Sequence, residues 1–157
     1  MSATQFDSIY DAFFRLIEKD ISFFQYFDYT EEQAMALAKN RAEGLLHEAI
    51  EFLHSRSDKS HEIQIEDGDF TITLNGDEIQ LLAKLMLLCY MEHDLAILRT
   101  RVNTFSSSDL KALHSPANER NSFINMVDNY REECTVEISE YSMRDRNGKR
   151  IGFNGYY

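Results

Sequence analysis

The chain has 157 residues, 43% of them apolar and 27% charged, which fits one globular domain with its own core and argues against disorder or a disulfide-held miniature fold. Its 16 Lys and Arg stand against 27 Asp and Glu, a formal charge of −11 that repels a phosphate backbone and disfavours general nucleic-acid binding.

Phe6, Ile9, Tyr10, Phe13, Phe14 and Ile17 recur at spacings of three and four, so a first amphipathic helix is predicted from about Phe6 to Lys19. The aromatic-rich stretch from Asp20 to Tyr29 has no clean period and reads as a connector with irregular or short helical turns; packing under the next helix is favoured over a partner-binding patch. Thr30 with Gln33 forms a capping-box pattern, and Glu31 and Glu32 suit the positive end of a helix dipole, so a long second helix starts there. Its predicted inner stripe is Ala34, Leu37, Ala38, Leu45, Ala49 and Phe52. The polar run Ser55 to Ser60 ends it.

Beyond that run the period changes to two. Ile63 and Ile65, then Phe70, Ile72 and Leu74, alternate with polar residues about Asp67-Gly68, a dipeptide suited to a type I′ turn. A β-hairpin is therefore predicted at about 62–74, with Glu66 facing Asp69, Ile65 facing Phe70 and Ile63 facing Ile72, projecting from the helical body toward a neighbouring subunit. Asn75-Gly76-Asp77 is a second turn, and Asp77 with Gln80 is the predicted cap of a helix from Glu78 to about Thr100 that is apolar almost all round. Phe105 to Lys111 reads as a loop into one or two helical turns, and Pro116 suits the first turn of a long helix bearing Phe123, Val127, Tyr130, Cys134, Ile138 and Tyr141. Leu82, Leu85, Met86 and Cys89 are expected to form core with Val127, Tyr130 and Cys134. The fold class is thus mainly α, a helical bundle with a long C-terminal helix, one inserted hairpin and an extended C-terminal arm; residues 1–143 form the single helical domain and 144–157 a basic, aromatic tail.

Little of this points to catalysis. Glu51 and His54 make one Glu-x-x-His step, whereas a di-iron bundle needs two such steps and two further glutamates; Glu43, His47 and Glu51, and the consecutive Glu92-His93-Asp94, read as solvated helix surface. No nucleophile elbow, dinucleotide fingerprint or Walker loop is present, so neither an enzyme nor a cofactor is expected. Cys89 and Cys134 sit in apolar patterns, where thiols behave as inert small hydrophobes, and the first residues lack the basic and apolar regions of a signal peptide; a reducing, cytoplasmic setting is the expectation. The most apolar stretch, Ile79 to Met91, is broken by Lys84 and falls short of the roughly 18 residues a membrane helix needs.

Charge is segregated along the chain. Residues 144–157 carry +3 and residues 1–143 carry −14. Arg144, Arg146, Lys149 and Arg150, with Ile151, Phe153, Tyr156 and Tyr157 as apolar anchors, are therefore candidate partner-binding residues for an acidic neighbour, and the hairpin tip Asp67-Gly68 is a second contact point.

Glu78 to Met86 opening a core helix, Phe105 with Asp109-Leu110-Lys111, and Ser115-Pro116-Ala117-Asn118 leading into a helix that ends at Glu140-Tyr141-Ser142 together resemble head-tail connector (adaptor) proteins of long-tailed bacteriophages. The likeness spans residues 78–142, with Tyr90 where those proteins often carry Trp near the end of the core helix. It implies a virion neck protein, present in the host cytoplasm during assembly. Such a protein forms a ring, usually dodecameric, between the portal protein and the next neck or tail-terminator protein, with DNA passing through the lumen without specific binding. The alternative from composition is an acidic DNA mimic that inhibits or regulates a basic nucleic-acid-binding protein; a helical metalloenzyme resting on Glu51 and His54 is the third.

Overall fold

The computed structural model describes residues 4–24, 28–104 and 116–151. Its architecture is mainly α, a bundle of helices with one small antiparallel hairpin, in the order α1 (Gln5–Leu16), α2 (Ile21–Phe24), α3 (Glu31–His54), a 3-10 helix (Asp58–Glu62), β1 (Ile65–Glu66), β2 (Asp69–Phe70), α4 (Gly76–Thr104) and α5 (Pro116–Ser142).

Local chemistry sets most of these boundaries. Thr4 caps α1 in a reciprocal box with Asp7, and Thr30 caps α3 with Gln33, so each helix starts where a hydroxyl accepts from an otherwise orphaned amide. The cap of α4 lies two residues earlier than expected: the side chain of Asn75 accepts from the Glu78 amide at 2.9 Å and Glu78 accepts from the Asn75 amide at 2.8 Å. Asp77 is exposed on the first turn, and Asn75 prevails because its box closes reciprocally with a carboxylate that burial holds in place.

Helix α4 is the centre of the bundle and packs against α1, α3 and α5. Most of its apolar surface is thereby covered within one chain, through Leu81, Leu82, Ala83, Leu85, Met86, Leu88, Cys89, Tyr90 and Leu95, while Ile97 is 52% exposed. From α5, Val127, Cys134 and Ile138 are buried, and Tyr130 is half-buried against the same core. The buried stripe of α3 is Ala38, Ala42, Leu45, Leu46, Ala49, Ile50 and Leu53, rotated from the predicted one; Ala34, Leu37 and Phe52 lie at its margin because α3 faces both α2 and α4. Phe23 is fully buried and makes edge contacts with Phe13 and Tyr90, while the Arg41 guanidinium lies over both the Phe23 and Tyr90 rings. Phe23 and Phe24 of the aromatic connector therefore pack inward, and Tyr29 is exposed.

The hairpin keeps the predicted register, Ile65 opposite Phe70 and Glu66 opposite Asp69. Asp67 and Gly68 have φ of 50° and 82°, the paired left-handed geometry of a type I′ turn. It is shorter than 62–74: the 3-10 helix takes Glu62, the ladder is confined to residues 65–70, and the predicted pair of Ile63 with Ile72 lies outside it. Nor does the hairpin stand away from the body, since Phe70 is buried and stacks on Phe6 of α1 at 4.7 Å between centroids. The segment from Phe105 to Lys111, expected as a loop into one or two helical turns, lies outside the described residues.

Candidate functional site

Three segments far apart in sequence meet around Glu78, at the start of α4. The Glu78 carboxylate is 1% exposed in a strongly acidic chain, and it is fully engaged. It accepts from the Asn75 amide, from the Tyr141 hydroxyl at 3.2 Å and from Arg146 Nη2 at 3.1 Å. Arg146 Nη2 also donates to the Thr73 carbonyl at 2.6 Å, so one guanidinium ties the residues after α5 to those after the hairpin. Lys59, from the 3-10 helix, donates to the carbonyls of Tyr141 at 3.1 Å and Arg144 at 2.6 Å and lies over the Tyr141 ring. Lys59, Asn75, Tyr141, Arg144 and Arg146 line an open cleft of about 370 Å³ together with Gln80, Lys84, Glu137, Glu140 and Asp145.

The electrostatics follow from partial burial. Desolvation lowers Lys59 from its ordinary value, with Glu78 and Asp145 acting in the opposite direction. Burial first, and the neighbouring Glu78 second, raise the Tyr141 hydroxyl above the usual tyrosine value, so it stays a donor. The side chains of Lys59, Asn75, Glu78, Tyr141 and Arg146 all hold protein to protein, and the arrangement binds segments together.

The first half of the predicted arm is part of this site, and it is not extended. Residues 143–151 double back: Arg144 bridges Arg150 in antiparallel fashion, the Asp145 amide donates to the Lys149 carbonyl, and the Ile151 amide donates to the Met143 carbonyl, both at 2.8 Å. Gly148, at φ 78°, supplies the left-handed residue of the turn, and the Asp145 carboxylate accepts from the amides of Asn147 and Lys149. The expectation of an extended chain from Arg144 is corrected to this extent, because Arg146 finds a buried carboxylate on its own chain, a partner invisible to local pattern. Arg144, Lys149, Arg150 and Ile151 are exposed on the turn; Phe153, Tyr156 and Tyr157 lie outside the described residues. Asp67 and Gly68 are exposed at the hairpin tip and take no part in the Glu78 cluster.

The other sequence candidates have structural explanations. His54 donates through Nε2 to the Ile63 carbonyl at 2.8 Å and stacks near His61, tying the end of α3 to the chain after the 3-10 helix, while Glu51 is exposed to solvent. Among the described residues no group of three His, Cys, Asp or Glu side chains is placed to hold a metal ion. Cys89 and Cys134 are buried, and burial pushes their thiols up to about 12 and about 11. Among the described residues no helix is long and apolar enough to cross a membrane.

Sequence reasoning does not single out Glu78, Tyr141, Lys59, Asn75 or Thr73 as functional. Asn75-x-x-Glu78 carries a capping-box signal, but nothing local says that the same glutamate receives an arginine 68 residues away. Compared with family models, with curated proteins and with solved structures, the chain finds no match in any of the three.

Proposed function

We propose that this chain is a structural head-tail connector of the adaptor type, assembling with copies of itself into a ring in the phage neck between the portal and the next neck or tail-terminator component. The likeness in sequence over residues 78–142 carries the reading, and it falls on the helix at the centre of the bundle and the helix packed along it. Two features agree with it in kind. An acidic body lets DNA slide through a lumen without sticking, and the segregation of +3 in residues 144–157 from −14 in residues 1–143 suits contact between copies or with an acidic neighbour. With most of the apolar surface of α4 covered by its own chain, the contacts with neighbours in this reading are made by the basic C-terminal segment and the exposed hairpin tip. In this role the protein acts mechanically, with no cofactor and no chemical step, in the virion neck after passing through the host cytoplasm.

Mass photometry of the purified chain, alone and mixed with the portal protein of the same phage, tests the proposal. Rings of many copies, or joint particles with portal, are expected. A monomer or dimer that ignores portal and competes with DNA for a basic enzyme would instead identify an acidic DNA mimic.

A further inference from the structure

The residues that hold the C-terminal turn against the body differ in kind from those that hold the helices. Between residues 143 and 151 no side chain is buried: Met143 and Ile151 are 57% and 58% exposed, and Arg144, Lys149 and Arg150 are exposed as well. The attachment is polar throughout. Arg146 reaches Glu78 and Thr73, Lys59 grips the Arg144 carbonyl, and Asn75 Nδ2 approaches the Arg146 carbonyl at 3.5 Å. Lifting this turn away uncovers only the smaller, covered parts of Met143 and Ile151, so the hydrophobic penalty that keeps a helix in place is small here.

One contact sets it apart from an ordinary frayed end. Glu78 belongs to the rigid start of α4, where the Asn75 amide and the Tyr141 hydroxyl already hold it. When Arg146 leaves, the carboxylate loses its cation and keeps only the Asn75 amide and the Tyr141 hydroxyl, which is costly. The turn therefore has a defined closed position and a barrier against leaving it, while the helices keep their own packing.

We propose that residues 143–151 form a clasp, shut by Arg146 on the buried Glu78 and by Lys59 on the Arg144 carbonyl, that opens as a unit at the end of α5 without unfolding the helical body. Closed, it holds the basic segment against its own chain; open, it frees everything from Arg144 onward to reach another surface. Use of the opened segment as an inter-subunit arm rests on the neck reading above. The clasp itself does not.

Limited trypsin digestion of the intact chain tests this, with mass spectrometry following cleavage after Arg146. That bond can enter a protease only when the guanidinium has left Glu78, so the rate follows the open population. Cleavage is expected without denaturant and with a urea dependence much weaker than that of global unfolding followed by helical circular dichroism. Glu78→Gln removes the buried charge that draws Arg146 back and should speed cleavage there about tenfold, the weight of one charge-assisted hydrogen bond. Lys59→Met, which keeps apolar contact with the Tyr141 ring but cannot donate, should act in the same direction, and it decides the matter if Glu78→Gln lowers the urea midpoint of the whole fold. Cleavage unchanged in both variants would mean that the turn hangs free, and a urea dependence equal to that of global unfolding would mean that it belongs to the cooperative core; either result overturns the clasp. Because this assay uses the isolated chain, a working clasp in a protein that forms no ring would leave the inference standing and remove the neck reading.

Discussion

Leu85 faces the middle of the bundle from α4 and is fully buried. Its truncation to Ala removes transfer energy and leaves a cavity that three packed helices cannot close, so a loss of about 2–5 kcal/mol is expected in urea unfolding. A loss below about half a kcal/mol would place Leu85 outside a tightly packed core. The buried thiols give a second expectation. Cys89 and Cys134 are raised from an ordinary 9.0 to about 12 and about 11, and Tyr10 from 10.0 to about 12, in each case chiefly by burial. The native state therefore keeps protons that the unfolded chain gives up first. This stabilisation is fully present below the unfolded value of 9.0 and is lost as pH rises toward the folded values of about 11 and about 12. The urea midpoint should fall as pH rises from about 9 toward about 11, and less so in a Cys89→Ala variant. Alkylation of either thiol in the native protein at neutral pH should be slow, with the full rate seen only on unfolding.

At the scale of elements, the hairpin is held by its turn, by the stacking of Phe70 on Phe6 and by Ile65 packed against the core, with Gln5 of α1 bonding the segment that follows it. Gly68 has room for a side chain, since nothing lies within 4 Å of a Cβ placed there, so the demand for glycine comes from its φ of 82° alone. Gly68→Val should cost about 1–2 kcal/mol in backbone strain and loosen the strand pair, seen as loss of the Thr71 to Gln64 amide bond in hydrogen exchange. Phe6 and Phe70 should report the event by NMR, because their stacking depends on the register. The helices α1 and α3 follow the same logic of local signals, each opened by a threonine and closed three residues later by an acceptor side chain. For α4 two adjacent patterns compete, and Asn75 with Glu78 prevails over Asp77 with Gln80 because burial of Glu78 fixes its side chain where it can return the hydrogen bond.

For the whole molecule, the expected division of labour is a helical body that folds by itself and a C-terminal segment that works on something else. A chain shortened by residues 152–157 loses none of the described helices or their contacts, so its circular dichroism and urea midpoint should match the intact chain, while its ring assembly or portal association should fail under the proposed function. If the shortened chain assembles as well as the full one, the arm has no such role. The sequence by itself determined the elements whose information is local: helical stripes of period 3.6, the capping box at Thr30, and an Asp-Gly turn whose two positive φ values fix which residues face each other. It also determined the charge segregation, which is a matter of counting. Only the tertiary structure decided which side of α3 is buried, since Ala-rich helices carry several nearly equivalent stripes and the packing of α2 and α4 selects among them. It alone decided the fate of Arg146 as well, because the field around a guanidinium depends on which carboxylate the fold has stripped of water, and Glu78 is 68 residues away in the chain.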